Sequence, residues 1–189
     1  MKKILIMVTG LILSVSVFAG TVSASSIDDE LQLDIDSFKE QVLDSLHTEY
    51  PNAQFIDESE GQKDLYKSIT PFQAASPLTS LEVYAAWSTN YSQYEYFTTN
   101  QLTSVEDHGG EELYIVTEEI GYGTVRFARM EGERLSFIQR ENIDLNGDNI
   151  VDGYYLWWDA SGYEEGLFTY QNTSSNAPWN TMNDRMNIK

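Results

Sequence analysis

From Tyr94 onward the chain repeats one texture: a short run rich in Tyr, Phe, Val, Ile and Thr, then a polar turn. The runs are YEYFTT, LYIVTEEI, TVRFARM, LSFIQREN, GYYLWWD and EGLFTYQ, separated by DHGG, GYG, EGE, DLNGDNIVDG and DASG. β-Branched and aromatic side chains suit a pleated, half-buried surface, and glycine-centred turns reverse the chain within a few residues. Connections this short join antiparallel neighbours, because a parallel crossover needs a dozen residues or more. The pattern predicts an antiparallel sheet, or a small partly closed barrel, over residues 94–170.

Before that region the periodicity is helical. Ile35, Phe38, Val42 and Leu46 recur at spacings of three and four, Asp34 or Asp36 can cap the first turn, and Tyr50-Pro51-Asn52 stops it, so a helix is predicted over 37–47. A short strand fits around Phe55. Thr79 followed by Glu82 forms a capping box, and Leu81, Tyr84, Ala85, Ser88 and Tyr91 share a helical face, which favours a second helix. The same residues, LEVYAAW, also suit a strand. Residues 171–189 read as an irregular tail anchored by Trp179. The expected class is α+β: an antiparallel sheet packed by one or two N-terminal helices.

The first residues, MKKILIMVTGLILSVSVFAGTVSAS, place two lysines before an apolar run and end it in small residues, the layout of a secretory signal peptide cleaved after Ala24. Residues 25–36 then form a solvated acidic leader, and residues 37–189 a single globular domain. Lys2 and Lys3 leave with the signal peptide, so the formal net charge moves from −19 to −21. Such a balance disfavours nucleic acid and anionic lipid, both of which need basic surface to displace counterions. With no cysteine in the chain, neither disulfides nor thiol chemistry is available. No later segment is apolar for long enough to span a bilayer after signal cleavage. The expected location is secreted or extracellular, and export without disulfides suits a bacterial envelope or medium.

The decapeptide DLNGDNIVDG carries the most specific chemistry. Counting Asp144 as the first slot, Asn146 is third, Asp148 fifth, Ile150 seventh and Asp152 ninth. A calcium loop takes side-chain oxygens at such odd slots and a backbone carbonyl at the seventh, where an apolar residue is tolerated. Asn149 stands at the sixth slot, which needs a left-handed backbone, and asparagine is next to glycine in adopting one. The competing reading is a plain polar turn, since Asp, Asn and Gly cap nearby amides without any ion. Three carboxylates brought together nevertheless repel one another unless a cation offsets them.

The pattern Asp144, Asn146-Gly147-Asp148 and Asp152 resembles the calcium loops of bacterial EF-hand-like modules, among them dockerins and FG-GAP repeats. The resemblance covers about twenty-five residues, including the YYLWWDASGYEEG that follows, and implies a structural calcium ion. The twelfth slot, where an EF-hand has a bidentate Glu, holds Tyr155; Glu141, Asp159, Glu164 and Glu165 are the substitutes near in sequence. Strand-like flanks favour a fixed ion over a sensing switch.

Catalysis finds little footing. His47 and His108 are the only histidines, no G-x-S-x-G elbow follows the His108-Gly109-Gly110 turn, and no zinc spacing exists. Adjacent acids such as Glu118-Glu119 point to opposite faces of a strand, so each pair offers at most one inward carboxylate. Tyr155, Trp157 and Trp158 are the residues for a sugar-stacking platform if one face of their strand is open. The expected function is therefore a non-enzymatic extracellular binding domain with a calcium loop, recognising a glycan or envelope polymer. The alternative is a protein-interaction module, an inhibitor, immunity factor or surface-complex subunit, that uses its acidic surface. Hydrolysis is a weaker third.

Overall fold

In the computed structural model of the chain, residues 25–56 and 75–189 are described, with residues 25–34 as backbone only. The signal-peptide segment 1–24 lies outside the described residues. Chain contacts divide the molecule into Met1–Ile35 and Asp36–Lys189. Among the described residues there is one helix, α1 (Ser25–Glu49), and the predicted leader 25–36 is helical backbone within it. The predicted helix 37–47 lies wholly inside it. Phe38 and Val42, one turn apart, are both fully buried, as the apolar stripe requires. At the end of α1 the Tyr50 amide closes the last turn on the Leu46 carbonyl (2.7 Å), and His47 Nε2 donates to the Ala53 carbonyl (2.9 Å).

Among the described residues ten strands follow: β1 (Gln54–Ile56), β2 (Ser80–Ser88), β3 (Tyr94–Tyr96), β4 (Leu113–Ile120), β5 (Phe127–Met130), β6 (Glu133–Arg134), β7 (Ser136–Asp144), β8 (Gly153–Asp159), β9 (Gly166–Thr173) and β10 (Thr181–Ile188). They form a six-stranded sheet, β1-β7-β8-β4-β2-β3, and a four-stranded sheet, β10-β9-β5-β6. Every strand pair is antiparallel. One of the sheets curls into a half-barrel, and the class is α+β as expected.

Alternation along β8 shows how the layers are arranged. Tyr154, Leu156 and Trp158 join the apolar cluster between the sheets, together with Leu81, Val83 and Ile115 from the large sheet and Met130, Phe168, Tyr170 and Met186 from the small one. Tyr155 and Trp157 point to the opposite face, where Phe38 of α1 meets both rings edge-on, at 5.3 Å and 5.0 Å between centroids. Lys39 adds an ion pair to Glu141 of β7 at 3.0 Å.

Three expectations need correction. The second helix is strand β2: Leu81 and Val83 turn into the intersheet core, a bulge between Val83 and Ala85 shifts the register, and pairing with β4 runs from Ser80 to Ser88. Thr79 caps no helix; its hydroxyl and its amide both donate to the Ile120 carbonyl, at 3.3 Å and 2.8 Å. The tail is not irregular, since β10 pairs with β9 over eight residues and buries Met186 and Ile188. Trp179 anchors nothing, being 64% exposed in a turn with φ of 59°. Among the described residues no helix is long and apolar enough to cross a membrane.

Candidate functional site

The decapeptide joins β7 to β8, and its organiser is Asp144. That side chain is fully buried, and its carboxylate accepts from four consecutive amides. Oδ1 takes Asn146 N (3.1 Å), Gly147 N (2.7 Å) and Asp148 N (3.3 Å), and Oδ2 takes Asn149 N (2.6 Å). Gly147 (φ 76°) and Asn149 (φ 63°) adopt the left-handed backbone that aims those amides inward. The same turn repeats downstream: Asp148 N donates to Asn146 Oδ1 (2.9 Å) and Ile150 N to Asp148 Oδ1 (2.8 Å), each two residues apart. Asp152 Oδ2 closes the loop by accepting from Leu145 N at 2.9 Å.

Gln54 on β1 is the participant that sequence spacing could not reveal. Its Nε2 donates to Asp144 Oδ2 (3.0 Å) and to Asn149 Oδ1 (3.2 Å), across ninety residues of chain. Burial raises the Asp152 carboxyl above the usual range. The Leu145 amide opposes that shift, while the charges of Asp144 and Asp148 add to it. The Asp152 carboxylate thus feels the charges of both other acids of the loop.

The donor set fits an ion only in part. Both oxygens of Asp144 are committed to N–H groups, whereas the turn engages one oxygen each of Asp148 and Asp152. Ile150 is 56% exposed, its carbonyl in the seventh slot. Among the described residues no group of three or more His, Cys, Asp and Glu side chains is gathered to hold a metal ion. The twelfth-slot residue, Tyr155, is buried on the helix side and donates to Glu118 Oε2 at 2.6 Å. Of the substitutes, Glu141 is paired with Lys39, and Asp159 ends β8 opposite Tyr114, a strand's length from the loop. Water would have to complete such a shell.

The aromatic platform does not form. Tyr155 and Trp157 are fully buried and Trp158 is 5% exposed. Trp157 Nε1 donates to Tyr94 Oη (3.0 Å), and Trp158 Nε1 donates to Thr117 Oγ1 (2.9 Å) while its ring lies 5.4 Å from that of Tyr170. Alternation correctly put these rings on two faces, but both faces are covered.

Three polar clusters emerge that spacing did not show. Glu118 and Glu119 lie on opposite faces of β4: Glu118 is half-buried toward the helix side, and Glu119 is fully buried between the sheets. Burial raises the Glu118 carboxyl; the hydrogen bond from Tyr155 works against this, and the charges of Glu82 and Glu49 reinforce it. Glu119, with no exposed surface, accepts from Tyr170 Oη (2.5 Å), Asn172 Nδ2 (2.5 Å), and Arg126 Nε (3.0 Å) and a terminal guanidinium nitrogen (2.7 Å).

The third cluster superficially has the order of a nucleophile relay. Ser88 Oγ lies 3.4 Å from His108 Nδ1, and His108 Nε2 lies 2.8 Å from Glu95 Oε2. Ser88 and His108 have no exposed surface, so no acyl group can reach the hydroxyl. Glu95 is loaded further by the amides of Val105 (2.7 Å) and Glu106 (2.9 Å) and by Gln101 Nε2 (3.1 Å). Burial alone would raise its carboxyl; those amides, then His108 and Gln101, bring it below the usual range. The cluster pins the 101–108 segment to β3.

No curated protein and no solved structure matches the chain. A family match spans residues 70–188, taking in β2 to β10, the Asp144–Asp152 loop and all three polar clusters. On that match, over more than half its length, the chain belongs to the family described as Domain of unknown function (DUF4879).

Proposed function

We propose that the chain is an exported, non-enzymatic binding domain of the cell exterior whose Asp144–Asp152 loop takes up a calcium ion. The observation that supports this reading is the winding of the loop: two successive side chains, Asn146 and Asp148, each cap the amide two residues on, while Asp152 is crowded by the charges of Asp144 and Asp148. Donors would be the Asn146, Asp148 and Asp152 side chains and the Ile150 carbonyl, with water completing the six to eight oxygens calcium takes. Asp144 holds the backbone for them and is not itself a ligand. The ion would offset the repulsion among the acids and fasten the β7–β8 turn.

The partner is a glycan or other envelope polymer, met on a surface other than β8, whose rings are buried. An acidic interaction surface for a protein is the second reading, carried by the excess of 30 acidic over 11 basic residues. The test of the calcium reading is thermal melting of the chain from Ser25 onward in calcium and in chelator. An ion present at a hundred times its Kd adds about 2.7 kcal/mol. For a domain of this size that raises Tm by roughly 5–10 °C. Asp148→Ala should abolish the rise; equal melting of the unaltered chain in calcium and chelator would remove the ion from the account.

A further inference from the structure

The outward face of the four-stranded sheet departs from the rest of the surface in charge. Ala128, Met130, Phe168, Tyr170, Met186 and Ile188 face the core, so the alternate residues face outward. Across 127–129, 167–173 and 181–187 none of those outward positions is acidic, in a chain with 30 acids and 11 bases. Arg129 pairs with Arg134 on β6 and with Thr169 on β9, and Thr169 pairs with Arg185 on β10. One cross-strand row therefore reads Arg134–Arg129–Thr169–Arg185.

All three guanidiniums are exposed, and among the described residues none of them forms an ion pair. Like charges directly opposite on paired strands destabilise a sheet, and Arg129 faces Arg134 with no carboxylate between them. Phe127 supports both: their guanidinium carbons lie 5.5 Å and 5.2 Å from its ring centroid. A guanidinium laid over a ring keeps its N–H edge for a carboxylate or phosphate. Strand spacing separates Arg129 from Arg134 by roughly 5 Å and from Arg185 by roughly 10 Å. Between and beside them stand Thr169, Gln171 and Asn183, which offer hydroxyl and amide groups.

The geometry points to this face as a binding surface for an anionic polysaccharide, a polyhydroxylated polymer with spaced acidic groups. The spaced arginines take the acidic groups, and the intervening amides and hydroxyl take sugar hydroxyls. A densely charged polyanion fits worse, because the surrounding excess of acids repels every charge the row does not neutralise. The inference rests on the proposed binding role but not on calcium, since the face belongs to the other sheet.

Affinity electrophoresis through gels containing hyaluronate, whose uronate alternates with a neutral sugar, tests it. Dextran and polyglutamate gels serve as the neutral and densely charged comparisons, all in chelator so that the loop cannot contribute. The chain should be retarded by hyaluronate alone. Arg129→Gln/Arg134→Gln and, separately, Arg185→Gln should each weaken binding at least tenfold while melting as the unaltered chain does. Absence of retardation in hyaluronate, indifference of folded variants, or equal retardation in polyglutamate would each overturn the assignment. Loss of the calcium response with retardation intact would count against the loop alone.

Discussion

Replacing Glu119 by Gln should remove a large share of the domain's stability. The carboxylate is sealed between the sheets and accepts four hydrogen bonds, two from Arg126 and one each from Tyr170 and Asn172. Glutamine keeps the volume but turns one acceptor into a donor, so at least one buried donor loses its partner, and Arg126 loses its counter-charge. Breaking one side of a buried pair costs about 3–5 kcal/mol. The Arg126 side chain is 24% exposed, and water at its outer edge puts the expectation at the lower end, about 3 kcal/mol. Against a total of about 5–15 kcal/mol, this lowers Tm on the order of 10 °C. Urea unfolding followed by tryptophan fluorescence reads it, because Trp158 lies 5.4 Å from the Tyr170 ring. In a cycle with Arg126→Met, the two substitutions should couple by more than ~1 kcal/mol, since neither group is then left charged and alone. A cost for Glu119→Gln below ~1 kcal/mol, or additivity within ~0.5 kcal/mol, would refute the view that this network joins the sheets.

Glu118 and Glu95 should impose opposite pH dependences. The Glu118 carboxyl is raised by burial, so its contribution is fully present below its unfolded value and is lost as pH rises through the folded one. Glu118→Gln should then raise the urea midpoint at neutral pH and leave it unchanged near pH 3. Glu95, raised by burial but lowered on balance by the Val105 and Glu106 amides, contributes above its unfolded value, and that stability disappears as pH falls through the folded one. Glu95→Gln should therefore destabilise at pH 7 and progressively less on acidification; a pH-independent difference in either variant would contradict the assigned partners. Trp87, Trp157 and Trp158 are each less than 10% exposed and Trp179 is 64% exposed. Trp179→Phe should accordingly abolish most iodide quenching of fluorescence, whereas strong residual quenching would mean that the β8 rings are open to solvent.

Legibility followed the range of the interactions. Helix 37–47, the short strand at Phe55 and the strands β4, β7, β8 and β9 rest on local periodicity and on turns a few residues long, so they can be read in one dimension. The Asp144 loop was legible for the same reason, because its hydrogen bonds close within five residues. Strand β2 was misread because its capping pattern is local, whereas its pairing partner Leu113–Ile120 lies some thirty residues on. Strand β10 was missed because its outward residues are Asn183, Arg185 and Asn187, poor strand formers that only the β9 pairing holds extended.

By itself the order of residues determined the antiparallel β character, the first helix and the polar loop between two aromatic strands, since each is an interaction between near neighbours. Tertiary structure alone decided that both faces of β8 are covered, that Glu119 is enclosed between the sheets, and that three arginines from three strands stand in one row. The reason is physical: alternation assigns a side chain to one of two faces, but what lies against that face is set by strands that arrive from far along the chain.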